Sequence, residues 1–168
     1  MLFRSKVGCS ETANNPLVLA GHSSHVDSVV FSSDDTRVIS GSNDKTICVW
    51  NAQTGALEVG PLTGHGDVVP SVSMSHDGKL VASGSSDKTI RIWDTRSWKT
   101  MGTPFRGHAD SVRSVSFSHG DTRIVSGSSD NTILIWDVRS GMIVAGPFTG
   151  HTIGVKSVAF SHDDKQVV

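Results

Sequence analysis

Residues 83–94 read SGSSDKTIRIWD, and residues 126–137 read SGSSDNTILIWD. A third version, SGSNDKTICVWN, occupies residues 40–51, so each copy begins 43 residues after the one before. The interval extends beyond this stretch. Gly-His pairs fall at Gly21-His22, Gly64-His65, Gly107-His108 and Gly150-His151. Residues 65–107 and 108–150 align without a gap and agree at 23 of 43 positions. Identity of that kind is an internal repeat, and a repeat decides a fold before local structure does. The 168 residues make about 3.9 periods. The fourth copy begins at His151 and reaches Val168 before its Asp and Trp positions.

One period predicts four short strands. In the third copy, Val112–Phe117 is the first strand and ends at the turn His119-Gly120-Asp121. Arg123–Ser126 is the second, followed by a tight turn over Gly127–Asn131. Thr132–Trp136, rich in β-branched residues, is the third. Met142–Ala145 is the fourth, and Pro147 is expected to close it because proline belongs at strand ends or edges. No stretch holds a 3.6-residue apolar period, so essentially no helix is expected.

Gly-His at the start of each copy, Trp93-Asp94, Trp136-Asp137 and the variant Trp50-Asn51 at its end, and a period of 43 resemble WD repeats. The stretches GPFTGH and SGSSDKTIRIWD are similar to the repeat arrays of fungal NACHT-type WD proteins. The resemblance covers residues 16–168 and leaves 1–15 as an N-terminal tail or degenerate strand. It implies an all-β fold, a β-propeller of four-stranded antiparallel blades that is here partial.

Composition excludes several other classes. Lys+Arg is 15 and Asp+Glu is 16, and a net charge of −1 speaks against a general binder of nucleic acid or acidic membranes. At 36% hydrophobic residues the chain is poor for a transmembrane bundle, and no apolar run approaches the roughly 18 residues of a spanning helix. Cys9 and Cys48 cannot make a secreted disulfide framework, and neither has a partner pattern, so both are expected to be inert thiols. The opening MLFRSKVGCSETANN lacks the apolar core of a signal peptide, which makes an intracellular protein, cytoplasmic or nuclear, the expectation.

Ser, His and Asp recurring together invite a hydrolase reading. A nucleophile is needed once, however, whereas this set appears three times with a tryptophan attached. The WD resemblance implies instead a structural hydrogen-bonded tetrad in each blade: His22/Ser40/Asp44/Trp50, His65/Ser83/Asp87/Trp93 and His108/Ser126/Asp130/Trp136. His76, His119 and His162 also fall 43 apart in first-to-second strand turns. Equivalent residues of successive blades should lie on a ring rather than converge, so no metal site is expected. Gly84–Thr89 looks superficially like a phosphate loop but lacks the G-x-x-x-x-G-K spacing and a following helix, and no cofactor is expected.

Specificity in a repeat scaffold can reside where the copies differ. The resemblance implies that a peptide-binding face is formed by residues three and five after the Gly-His histidine and by the residue before the tetrad Asp. These are His25, Asp27 and Asn43, then Val68, Pro70 and Ser86, then Ser111, Arg113 and Ser129, then Gly154 and Lys156. Drifted surface loops account for the same variation. Pro70 is expected inside an inner strand, where it removes one ladder donor.

Closure is a separate question. Pro16–Ala20 supplies a fourth-strand candidate and Val155–Phe160 a first strand. The chain is then a fragment of a longer array, a four-bladed ring in which Phe3–Val7 serves as the missing third strand, or half of a paired ring. The expected function is a non-catalytic scaffold binding a protein or peptide, with self-association through open edge strands. The alternatives are a sensor or regulatory module of a larger signalling protein, and a Ser/His/Asp hydrolase.

Overall fold

The computed structural model describes residues 4–7, as a strand backbone, and 17–168. Cys9, Phe3, Pro16 and the boundary drawn between residues 15 and 16 lie outside the described residues. Short runs of β-branched residues between polar turns produce strands and no helix among the described residues. Strand β1 (Arg4–Val7) pairs antiparallel with β2 (Leu17–Ala20).

Three four-stranded antiparallel sheets follow, each in chain order. The first holds β3 (Val26–Phe31), β4 (Arg37–Ser42), β5 (Ile47–Asn51) and β6 (Leu57–Leu62). The second holds β7 (Ser71–Met74), β8 (Leu80–Gly84), β9 (Thr89–Asp94) and β10 (Phe105–Arg106). The third holds β11 (Val112–Phe117), β12 (Arg123–Ser128), β13 (Thr132–Asp137) and β14 (Ile143–Thr149).

Four local expectations are corrected. Strand β7 starts at Ser71, so Pro70 precedes the strand instead of sitting inside it; with no N–H to offer, it delays the ladder by two residues relative to β3 and β11. Pro147 does not close the fourth strand, because β14 runs on to Thr149. It is an outermost strand whose register shifts around that position, so the missing donor interrupts no central ladder. Strand β12 continues through Gly127 and Ser128, which the tight turn was expected to hold. Residues 155–160 form no strand, only the Phe160–Val167 bridge, with Ala159 and Val168 exchanging backbone hydrogen bonds beside it.

No sheet buries its own faces, so the cores lie between neighbours. Ile39, Ile47 and Val49 of the first sheet share a core with Val69, Val72, Val81 and Trp93. Ala82, Ile90, Ile92 and Phe105 of the second pack on Val115, Phe117, Leu134 and Trp136 of the third. Leu19 of β2 joins Val38, Cys48 and Trp50, while Val155 and Val158 cover Val125 and Ile133.

Polar atoms repeat at the same joints. Val72 N–H donates to Ser28 Oγ at 3.1 Å, Val115 N–H to Ser71 Oγ at 3.0 Å and Val158 N–H to Ser114 Oγ at 3.1 Å. Glycine is needed where strands approach closely. A Cβ at Gly84 would stand 2.8 Å from Val112 Cγ1 and 3.0 Å from Val115 Cγ1, both in the packed core. Gly84→Val should therefore destabilise the chain by about 1–3 kcal/mol through overpacking, read from the midpoint of urea unfolding; an unchanged midpoint would contradict the tight joint.

Candidate functional site

Each complete sheet carries one chain of side-chain hydrogen bonds, built the same way. A tight turn joins the second and third strands, with Lys45, Lys88 or Asn131 in the left-handed region (φ 71°, 71° and 69°). The preceding aspartate closes that turn: Asp44 Oδ1 accepts from Thr46 N–H at 3.0 Å and from its hydroxyl at 2.5 Å. Its other oxygen, Oδ2, reaches the incoming loop, accepting from Ser23 N–H at 2.9 Å and from His22 Nδ1 at 2.8 Å. His22 Nε2 meets Ser40 Oγ at 2.7 Å, and the Trp50 indole N–H donates to the same oxygen at 2.8 Å.

In the second sheet His65 is 2.9 Å from Asp87 and 2.8 Å from Ser83, and Trp93 is 2.8 Å from Ser83. In the third, His108 is 2.9 Å from Asp130 and 2.7 Å from Ser126, and Trp136 is 2.7 Å from Ser126. The proton order follows from the ends. An ionised carboxylate only accepts, so Nδ1 carries the ring proton and Nε2 accepts from the serine hydroxyl, which in turn accepts from the indole.

Electrostatics holds this order in place. Burial raises the Asp130 carboxyl, but the Thr132 hydroxyl, the Ala109 N–H and the His108 ring outweigh it and bring the group down to about 2. Asp44 is likewise held below the ordinary carboxylate range, burial being opposed by Thr46, His22 and Ser23. Burial makes the His108 ring harder to protonate despite the neighbouring Asp130. The serine, histidine and carboxylate spacing is that of a nucleophile, base and orienter. Yet Ser40 is 1% exposed and Ser83 and Ser126 are 0% exposed, and each hydroxyl oxygen already accepts an indole N–H. A substrate carbonyl has no path to them. Cys48, buried beside the first of these sets, has its thiol pushed up to about 11 by burial and by the Asp44 charge, which leaves it a poor nucleophile.

The residues at variable positions are joined by backbone bonds repeat by repeat. Asn43 N–H donates to His25 O at 2.8 Å, Ser86 N–H to Val68 O at 2.9 Å and Ser129 N–H to Ser111 O at 2.9 Å. Asp27, Arg113 and Lys156 are exposed, whereas Pro70 is half-buried. Arg113, Ser129, Gly154 and Lys156 come together around a cavity of about 410 Å³, and Arg113 Nε donates to Ser129 Oγ at 2.7 Å. Ile153, 71% exposed, lines it as well. Sequence reasoning passed over Ile153, although a signal was there: the other copies place Ser24, Asp67 and Asp110 at that position.

Sequence reasoning also missed the threonines two after each tetrad aspartate, Thr46, Thr89 and Thr132, whose 43-residue spacing marks them equally well. His76, His119 and His162 follow one another from sheet to sheet with neighbouring rings in contact: centroids of His76 and His119 are 4.5 Å apart, those of His119 and His162 4.4 Å, and His162 Nδ1 lies 3.0 Å from His119 Nε2. The sheets are joined so closely at these turns that Asp121 accepts from His76 and Asp77 N–H, and Asp164 from His119 and Gly120 N–H.

The family model described as "WD domain, G-beta repeat" matches residues 14–51, 57–94 and 98–137, together more than half of the chain. Among curated proteins, the vegetative incompatibility protein HET-E-1 of Podospora anserina is 57% identical over 37 residues, covering 22% of this chain and 3% of that protein. Among solved structures, "Structure of U3-55K" superposes with a TM-score of 0.77 at 29% identity, covering 83% of this chain and 44% of that one. "Crystal structure of RRP9 WD40 repeats" gives 0.77 at 28% identity, with coverages of 83% and 43%. The chain thus spans less than half the length of either solved structure and a small fraction of HET-E-1.

Ser83→Ala would leave the buried indole N–H of Trp93 and Nε2 of His65 without their shared partner, and should cost about 1–3 kcal/mol in chemical denaturation. Acid should act in the same direction. Asp130 titrates lower in the fold than in the unfolded chain, so its contribution is full above about pH 4 and is lost as pH falls toward about 2. The His108 ring, harder to protonate when folded, contributes above about pH 6.5 and loses that contribution as pH falls below it. The thermal midpoint followed by circular dichroism should therefore be lower at about pH 5 than at about pH 7.5; a rise on acidification would refute the linkage.

Proposed function

Because the chain belongs to the WD domain, G-beta repeat family, we propose that it is a non-catalytic scaffold whose variable face binds an acidic segment of a partner protein. WD-repeat propellers serve generally as platforms for protein interaction, and the finer reading rests on one observation. The cavity lined by Arg113, Ser129, Ile153, Gly154 and Lys156 sets two cations beside an exposed aliphatic side chain. A carboxylate next to an apolar residue matches that chemistry, with Arg113, already oriented by Ser129, as the directional donor. Asp27 on the same face in the first repeat would repel such a segment and limit where it lies.

The three Trp–Ser–His–Asp sets hold the sheets in shape, a role supported by their burial and by their repetition in every complete sheet. No cofactor or metal enters this reading. The buried thiol of Cys48 is in keeping with a reducing, intracellular compartment, cytoplasmic or nuclear. Among the described residues no helix is long and apolar enough to cross a membrane. The match to a stretch that makes up 3% of HET-E-1 supports a related use, as the recognition module of a longer signalling chain.

Selection of short random peptides on the immobilised chain tests the face. Enriched peptides should carry Asp or Glu beside an apolar residue, and Arg113→Ala with Lys156→Ala should weaken the best of them about tenfold or more in fluorescence anisotropy. Peptides without acidic residues, or equal affinity for the doubly substituted chain, would sink the assignment. A serine-reactive phosphonate that labelled a tetrad serine would overturn the non-catalytic reading.

A further inference from the structure

The outermost strand of the second sheet departs from its two counterparts. Strand β10 has two residues, against six in β6 and seven in β14. Thr100 bridges to Trp93, and Met101 N–H donates to Ile92 O at 2.8 Å. Residues 102–104 then leave the ladder until Phe105 pairs with Ile90. The side chains change with the backbone. Met101 stands where the other copies have Glu58 and Val144, Thr103 where they have Gly60 and Gly146, and Arg106 where they have Thr63 and Thr149.

Beside this interruption lies a cavity of about 280 Å³, between residues 101–106 and the turn of residues 138–141. Both walls belong to complete sheets. Gly141 (φ 69°) forms part of the second wall, and a Cβ on it would stand 2.6 Å from Phe105 Cε1. At the corresponding joint between the first and second sheets the position of Gly141 is taken by Trp98, which packs with Leu62 against the shared core. That joint also has Glu58 and Thr63 in place of Met101 and Arg106. The pairing of two arginines is therefore particular to the second joint.

Thr103, Arg106 and Arg139 line the cavity from three segments: the interruption, β10 and the turn before β14. Both arginines are exposed. Among the described residues neither guanidinium is in a salt bridge, and the Thr103 hydroxyl has no hydrogen-bond partner. Asp137 attracts Arg139, but its Oδ1 already accepts from Ser140 N–H at 2.8 Å and from the Ser140 hydroxyl at 2.7 Å.

We propose that this cleft is a docking site for a phosphorylated serine or threonine of a partner protein, separate from the variable face. A phosphate monoester carries close to two negative charges and three acceptor oxygens, enough to engage both guanidiniums and the hydroxyl. A carboxylate has two oxygens and would leave one of the three donor groups unused. The volume lies below the roughly 300–1,000 Å³ of sites that enclose a whole small molecule, and suits one side chain of a longer segment. Met101, 50% exposed, lines the cleft, and Met142, 68% exposed, follows Gly141. Flexible thioether side chains adapt to varied apolar groups, so the residues flanking the phosphate should be apolar.

Short peptides of random sequence around a central phosphoserine, passed over the immobilised chain, test this. Retained peptides should carry an apolar residue beside the phosphoserine. In fluorescence anisotropy the best of them should bind about tenfold or more weakly when its phosphoserine is replaced by Ser or Glu. Arg106→Thr with Arg139→Gln, the residues that the first repeat places there, should weaken it to a similar degree while circular dichroism stays unchanged. Arg113→Ala with Lys156→Ala should leave it unaffected, which separates this site from the variable face. Retention no better than that of serine-centred peptides, equal affinity for the Ser or Glu form, or equal affinity for the Arg106→Thr, Arg139→Gln chain would each overturn the proposal. So would loss of binding in the Arg113→Ala, Lys156→Ala chain, or inorganic phosphate binding as tightly as the best peptide.

Discussion

A four-stranded sheet with apolar side chains on both faces cannot be covered by its own strands. Everything in this molecule follows from that constraint. Ile39, Ile47 and Val49 point toward Trp93 and Val72 of the next sheet, and Ile90 and Phe105 point toward Trp136 and Val115 of the one after. The joints are tight enough that glycine stands at Gly41, Gly84 and Gly127, each against a valine of the following sheet. A partial propeller is the shape that results when successive sheets each solve the same burial problem by leaning on a neighbour.

The Trp–Ser–His–Asp chain does a different job within each sheet. It ties the entering loop to the second and third strands through groups that would be costly to bury alone. The aspartate ends the chain by using its two oxygens separately, Oδ1 for its own turn and Oδ2 for the loop and histidine. The same geometry that resembles a catalytic triad is therefore spent on internal satisfaction. The proposed recognition face uses other residues, exposed positions such as Arg113 and Lys156 at which the copies differ.

Much of this was legible in the sequence because it recurs. Val112–Phe117 matches β11 end to end, and the spacing of His, Ser, Asp and Trp picked out the residues that the structure joins in each sheet. What stayed hidden depends on neighbours instead of on period. The start of β7 after Pro70 and the run of β14 past Pro147 are settled by which strand lies alongside. The contact of His76, His119 and His162 needed the actual angle between adjacent sheets. Ile153 is hidden for the opposite reason: it breaks the polar pattern of its position, and only the fold brings it beside Arg113 and Lys156.

The hydrogen bonds that serine hydroxyls and aspartate carboxylates accept from backbone N–H groups of a neighbouring sheet span 44 or 45 residues. Each joint therefore closes a loop of about the same length and carries nearly the same entropic cost, which grows only slowly with length. No joint must wait for a distant one, so the sheets can order like a zipper from whichever pair meets first. The second sheet, flanked by complete sheets on both sides, is held twice, while its neighbours each have one complete sheet beside them. Amide hydrogens in β8 and β9 should consequently be the slowest to exchange, and protection should fade outward along the row.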